Sequence, residues 1–273
     1  MLRGYKINIF NLNFSWVFAL LFLSCTKVPL TGRRQLSLLS ESTMIEMSLT
    51  NYRTFLAQNP ASPSSDVNAQ MVKKVGLSIS QAVTRFMQSK GLSNRIKGYA
   101  WEFNLVNNKT VNAWCMPGGK VVVYTGLLAV TQNETSLAVV MGHEIAHAVA
   151  HHGNERMSQQ LLVQMGGIGL SLALSQKPQE TQDLFLNSYG VSASLGVLKY
   201  SRTHESEADK LGLVFMAMAG YNPQEAVSFW QRMAKQGGAN TMQLLSTHPG
   251  DETRIKDISS FMPKAMKYYT NKN

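Results

Sequence analysis

Residues 143–147 read His-Glu-Ile-Ala-His. On a helix, positions i and i+4 share a face, so both imidazoles can bind a single zinc ion. Glu144 falls beside that face, where its carboxylate can take a proton from a water held at the metal. The surrounding stretch, LAVVMGHEIAHAVAHH, is apolar, Ala-rich and free of proline, as a buried helix requires. Ionisable groups on such a helix need partners, and a metal ion supplies one. The expected chemistry is metal-assisted hydrolysis.

Two histidines are not enough ligands. His151 and His152 follow closely, but no glycine separates His147 from His151. The helix is therefore expected to continue, placing His151 about one turn, ~6 Å, further on. That is too far to share a tetrahedral ion, so both are read as supporting or surface residues. A third ligand is expected from a separate helix. Residues 204–209 read His-Glu-Ser-Glu-Ala-Asp within an apolar-flanked stretch. Glu205 and Asp209 share a face, so one can bind the metal while the other accepts the free N–H of a ligating imidazole. Glu207 is a rival that lacks a carboxylate four residues on.

The elements that must position these residues follow from periodicity. Residues 41–58 predict a helix capped by Ser40 or Ser42. Residues 59–65 (NPASPSS) are a loop by composition. A second helix, 66–90, carries Val67, Met71, Val75, Ile79 and Val83 on one side. Trp101–Val106 alternates as a half-buried strand does. Val111–Cys115 and Lys120–Thr125 read as two further strands joined by a turn at Met116–Gly119. Helical patterning returns from Thr135 and dominates thereafter. The class is α+β, mostly helical, with a small antiparallel sheet. Cys115 is expected to be a buried small hydrophobe. Leu161–Ser175 is apolar, too short to span a bilayer, and best read as core, with a lid or membrane-surface contact as alternatives.

Residues 1–24 look like a signal peptide rather than part of the fold. Arg3 and Lys6 precede an apolar run, Phe14–Leu23, interrupted only by Ser15. Phe22-Leu23-Ser24-Cys25 resembles a bacterial lipobox, which makes Cys25 a candidate lipidation site and residues 25–40 a tether to the domain at 41–273. With only Cys25 and Cys115 in the chain, no disulfide framework is expected. The formal net charge is +10. Without zinc-finger spacing or an aromatic-interleaved basic stripe, this charge argues for solubility and membrane proximity, not nucleic acid.

The stretches NAWCMPGGKVVVYTGLL, VVMGHEIAHAVAHHGNERMS, YSRTHESEADKLG, AGYNP and STHPGDETRI together resemble the Oma and HtpX membrane-associated metallopeptidases. This is metallopeptidase family forty-eight, and the likeness runs from about residue 30 to residue 260. It implies a gluzincin domain, with H-E-x-x-H and E-x-x-x-D helices crossing at one zinc ion. It also implies ligands at His143, His147 and Glu205, a catalytic base at Glu144 and a supporting carboxylate at Asp209. Residues 151 and 152 are His-His where relatives often have Arg-His. The strand at Asn112, Ala113 and Trp114 resembles the family's cleft-facing sheet edge, to which extended or unfolded polypeptide could pair. His248, in Ser-Thr-His-Pro, would face the cleft as an oxyanion donor or as a fourth ligand that blocks the resting enzyme. The implied protein is an envelope endopeptidase for quality control, facing the periplasm from a lipid anchor in the outer membrane. A chaperone-like assembly factor that rarely cleaves is the alternative.

Overall fold

The computed structural model describes residues 25–165, 178–189, 201–235, 244, 248 and 252–269. The signal segment expected at 1–24 lies outside them, as does residue 166 onward of the apolar Leu161–Ser175 stretch.

Polar caps start the long helices where the sequence placed them. Ser40 caps α1 (Glu41–Gln58) by accepting from the Thr43 amide, and Asp66 caps α2 (Val67–Ser89) by accepting from Asn68 and Ala69. The buried side of α2 carries Val72, Val75, Ile79, Val83 and Phe86. Val67, expected on that side, is 73% exposed in the first turn.

Strands β3 (Glu102–Val106), β4 (Ala113–Met116) and β5 (Lys120–Tyr124) form one sheet in the order β3-β5-β4. The Met116–Gly119 turn makes β4 and β5 antiparallel, as expected. However, β3 pairs with the far edge of β5, in parallel, so the sheet is mixed rather than antiparallel throughout. A tight turn dictates only the pairing of the strands it joins, and β3 is free to take the other side of β5. That leaves β4 at the edge, and the next helical layer packs on it.

That layer begins with a short helix, α3 (Thr125–Thr131), and then α4 (Glu134–Val149), which carries the H-E-x-x-H sequence. Every residue of α4 from Ser136 to Val149 is buried, which explains why its sequence is apolar on all sides. It is followed by α5 (His152–Met165), α6 (Pro178–Ser188) and α7 (Arg202–Met218). The last described helices are α8 (Glu225–Lys235) and α9 (Glu252–Met266). Helices α4 and α7 cross with their backbones in contact. A Cβ placed on Gly212 would lie 2.9 Å from both the Gly142 carbonyl carbon and the His143 nitrogen. One placed on Gly142 would lie 3.0 Å from the Gly212 oxygen.

The segment read as a tether is folded against these helices. Strands β1 (Cys25–Lys27) and β2 (Arg34–Leu36) form an antiparallel hairpin. Val28, Gln35 and Leu39 are buried, the Leu38 amide donates to Ser158 Oγ, and Asn154 donates to the Leu39 carbonyl. Among the described residues, no helix is long and apolar enough to cross a membrane.

The Gly142–Gly212 crossing admits no extra methyl without moving a backbone. Gly212→Ala should cost about 1–3 kcal/mol of stability, read as a lower midpoint in urea denaturation. An unchanged midpoint would show that the helices separate freely.

Candidate metal centre

One turn of α4 separates His143 from His147 and brings their Nε2 atoms to 3.0 Å. The first turn of α7 adds Glu205, whose Oε1 lies 3.3 Å from His147 Nε2 and whose Oε2 lies 3.5 Å from His143 Nε2. His248 arrives from the segment before α9, its Nδ1 3.1 Å from His143 Nε2 and 2.9 Å from Glu205 Oε1. Each of these four buried residues offers one atom, and the atoms lie within 4.8 Å of one another.

The donor set fits a metal ion. Asp209 Oδ1 sits 2.9 Å from His143 Nδ1, so the proton belongs on Nδ1 and a lone pair on Nε2. That lone pair faces His147 Nε2 at 3.0 Å and His248 Nδ1 at 3.1 Å, so a cation between them would meet ring nitrogens from three residues. Glu205 Oε2 is buried without a hydrogen bond and lies 3.3 Å from Arg254 Nη1; a cation at the cluster would compensate its burial further. Burial alone would raise the Glu205 carboxyl. The facing His248, then Arg254 and His143, outweigh burial and hold it well below the ordinary range. Nitrogen and carboxylate ligands without a thiolate suit zinc and other divalent transition ions.

Glu144 lies next to this cluster, with Oε1 3.5 Å from His248 Nε2 and no hydrogen bond of its own. Burial raises its carboxyl, against the opposing pull of His248 and His143. A carboxylate whose proton affinity is lifted toward neutrality is suited to accept a proton and return it.

Glu205 and Asp209 do share a face, one toward the imidazole nitrogens and the other behind His143. Glu207 does not join them. Two residues along a helix is a rotation of about 200°, and Glu207 points to the other side, with Oε2 3.1 Å from His152 Nε2. His152 is fully buried and its Nδ1 lies 3.0 Å from His147 Nδ1, so it stands directly behind a candidate ligand.

His151 does not extend α4. The helix ends at Val149, and His151 adopts φ 60°, in the left-handed region. Arg95, from the 3₁₀ turn Ser93–Ile96, holds this end by donating to the Val149, Ala150 and Lys27 carbonyls. Sequence periodicity missed this cap because the donor comes from 54 residues away.

Arg254 was also missed. Its Nε and Nη2 donate to the two oxygens of Asp209 at 2.8 and 2.7 Å, and its Nη1 donates to the His248 carbonyl at 3.3 Å. Its guanidinium lies 3.5 Å above the Trp230 ring centre. The residue belongs to the STHPGDETRI stretch, but a lone arginine on an amphipathic helix gives no signal of such a role.

The candidate substrate strand is placed at the sheet edge but buried. The Trp114 side chain packs edge-on against Tyr52 and Phe55, in a cluster separate from the one that holds Ala113, Cys115 and the core of α4. Contact with a bound peptide would fall to the main chain. The Val111 carbonyl already accepts from the Leu244 amide, and the His248 amide donates to the Leu244 carbonyl. Cys115 is buried in β4, and burial pushes its thiol well up, which disfavours a thiolate nucleophile.

The model of peptidase family M48 matches residues 74–262, a range that contains every residue of this cluster. The chain belongs to peptidase family M48. Among the family's curated members, the mitochondrial metalloendopeptidase OMA1 of Saccharomyces cerevisiae is 34% identical over 64% of this chain and 50% of its own length. The Schizosaccharomyces pombe protein of that name is 28% identical over 96% of this chain and 76% of its own. The beta-barrel assembly-enhancing protease of Escherichia coli is 28% identical over 64% of this chain and 38% of its own. This chain therefore spans about half the length of the first of these relatives and less of the last.

His151 Nε2 lies 3.3 Å from the Arg95 carbonyl, so it carries the proton and Nδ1 holds a lone pair. That lone pair faces Glu41 Oε2 at 3.4 Å, and only a protonated Glu41 can donate to it. Burial pushes Glu41 up to about 7, against the Tyr99 hydroxyl and Arg95. A folded value above the unfolded one favours the folded state at low pH, and that advantage fades as pH rises from about 4.5 to about 7. Glu41→Gln, which donates at every pH, should therefore be more stable than the parent at pH 8, by on the order of 1 kcal/mol. The gap should close toward pH 5 in urea denaturation. A gap that widens on acidification would contradict this assignment.

Proposed function

We propose that the chain is a zinc-dependent endopeptidase acting on extended or unfolded polypeptide in the cell envelope. The observation that carries this reading is the position of Glu144, a buried carboxylate without a hydrogen bond, beside a converging set of two imidazoles and one carboxylate. A purely structural metal site has no use for such a neighbour.

His143, His147 and Glu205 would hold the ion. When bound, zinc supplies Lewis acidity, lowering the pKa of a water and polarising a carbonyl oxygen. Glu144 takes the proton of the attacking water and delivers it to the departing amine. Asp209, clamped by Arg254, keeps the proton of His143 on Nδ1 and so keeps Nε2 available. The edge of β4 at Asn112–Trp114 would align the peptide main chain, once the Leu244 amide leaves the Val111 carbonyl. His248 lies among the candidate ligand atoms in the conformation described, an arrangement that favours the restraining role over the oxyanion role.

Cleavage in the envelope is supported by the bacterial relative, whose name ties it to β-barrel assembly. Anchoring through lipid at Cys25, with the domain facing the periplasm, rests on the leader sequence. Mitochondrial relatives share the same domain, so the substrate-cleaving unit is separable from its address. Casein digestion with and without a chelator separates this reading from a binding-only assembly factor, which would leave casein intact.

Three substitutions test the roles. Glu144→Gln should retain zinc but lose activity by about 10²–10⁴-fold, measured by metal analysis and peptide turnover. Glu205→Gln should weaken zinc binding, because a neutral amide is a poorer ligand. Full zinc occupancy and activity in Glu205→Gln would misplace the third ligand. His248→Ala should raise basal casein cleavage, and a fall of orders of magnitude would instead assign His248 to the transition state.

A further inference from the structure

Behind His147 runs a chain of buried contacts that ends outside the M48-matched residues. His152 Nδ1 meets His147 Nδ1 at 3.0 Å, and His152 Nε2 meets Glu207 Oε2 at 3.1 Å. Arg33, in the turn between β1 and β2, clamps Glu207. Its Nε donates to Glu207 Oε1 at 3.0 Å and its Nη2 donates to Oε2 at 2.9 Å. The same guanidinium donates to both oxygens of Glu155 at 2.7 Å, and His204 meets Glu155 Oε2 at 2.9 Å. The Thr31 hydroxyl adds a donor to Glu207 Oε1 at 2.6 Å. Arg33 thus joins α5, through Glu155, to α7, through Glu207, close to the candidate ligand Glu205.

We infer that Arg33 is a positioning residue for the metal centre, acting through Glu207 and His152 on the candidate ligand His147. Donors and acceptors along this path decide which ring nitrogens carry protons, given the ligand assignment above. An ionised carboxylate only accepts, so Glu207 requires the proton of His152 on Nε2. His152 Nδ1 is then an acceptor and requires the proton of His147 on Nδ1. That leaves a lone pair on His147 Nε2, the atom that faces His143 and Glu205. One acceptor thereby specifies two tautomers in series, and Arg33 holds that acceptor in place. A lone bridging arginine also offsets the repulsion between Glu155 and Glu207, which would otherwise separate α5 from α7. His143 receives the equivalent support from Asp209 and Arg254 within the M48-matched residues, whereas His147 receives it from the N-terminal hairpin.

The test measures zinc affinity by competition with a chromogenic chelator, on full-length folded protein, for the parent, Arg33→Gln, His152→Ala and the double variant. Arg33→Gln should weaken zinc binding about 10-fold or more, the usual cost of losing an outer partner of a ligating histidine. In the His152→Ala background, the same substitution should change affinity little, because the link it acts through is already gone. Arg34→Gln, a neighbouring exposed arginine in β2, serves as the control and should match the parent. A purely structural role would lower affinity equally in both backgrounds, or not at all, and either result overturns the inference. If Arg33→Gln does not fold, Arg33→Lys, which keeps the charge but loses the fork, is compared across the same two backgrounds. A loss confined to the His152 background supports the relay, and equal values overturn it. A parent that binds no zinc defeats the metallopeptidase reading itself. A parent that binds zinc alongside an Arg33→Gln variant of equal affinity defeats only the role of Arg33.

Discussion

Two glycines allow α4 and α7 to touch backbone to backbone at Gly142 and Gly212, and the rest of the centre depends on that contact. Side chains at either position would push the axes apart. Glu205 would then lose its approach to His143 and His147, which now lies at 3.3–3.5 Å. The contact sits one residue from His143 on α4. On α7 it lies three residues beyond Asp209, so the carboxylates rise from the crossing toward the imidazoles. The apolar surroundings, with Leu211, Val214 and Phe215 fully buried on α7, hold the crossing closed. Each such side chain contributes roughly 1.5–3 kcal/mol of burial.

That closeness gathers an unusual density of charge into the interior. Glu144, Glu155, Glu205, Glu207, Asp209 and Arg254 are all buried, and uncompensated burial of any of them would be strongly destabilising. The fold answers with two clamps. Arg254 lies across Asp209 behind His143, while Arg33 lies across Glu207 and Glu155 behind His147 and His152. Burial alone would raise the Glu155 and Glu207 carboxyls. Arg33 and the adjoining histidines instead hold both down at about 2. His143 and His147 therefore each have a partner at the ring nitrogen that faces away from the site. An ion between them would complete the same electrostatic pattern.

The parts of this arrangement that were legible in the sequence are those set by local spacing. The His143–His147 pair, the Glu205–Asp209 pair and the caps of α1 and α2 all follow from helical periodicity or a single polar residue. The burial of α4 followed from its apolar flanks. What escaped depends on residues distant in the chain. The parallel pairing of β3 with β5 is set by packing rather than by a turn, and Val67 is apolar but sits in a first turn that is left exposed among the described residues. The end of α4 is dictated by Arg95, and the roles of Arg254 and Arg33 exist only once three or more segments meet. His151 and His152 looked equivalent in sequence. The break at His151 sends one toward Glu41 and the other behind His147.

Two crossing helices bring imidazole and carboxylate donors together at one candidate metal centre. X-ray absorption at the zinc edge of the zinc-loaded protein reads that donor set. Nitrogen and oxygen neighbours at about 2.0–2.1 Å are expected, with the outer-shell scattering that imidazole rings produce. A sulfur shell near 2.3 Å, or an oxygen-only shell without imidazole scattering, would contradict it.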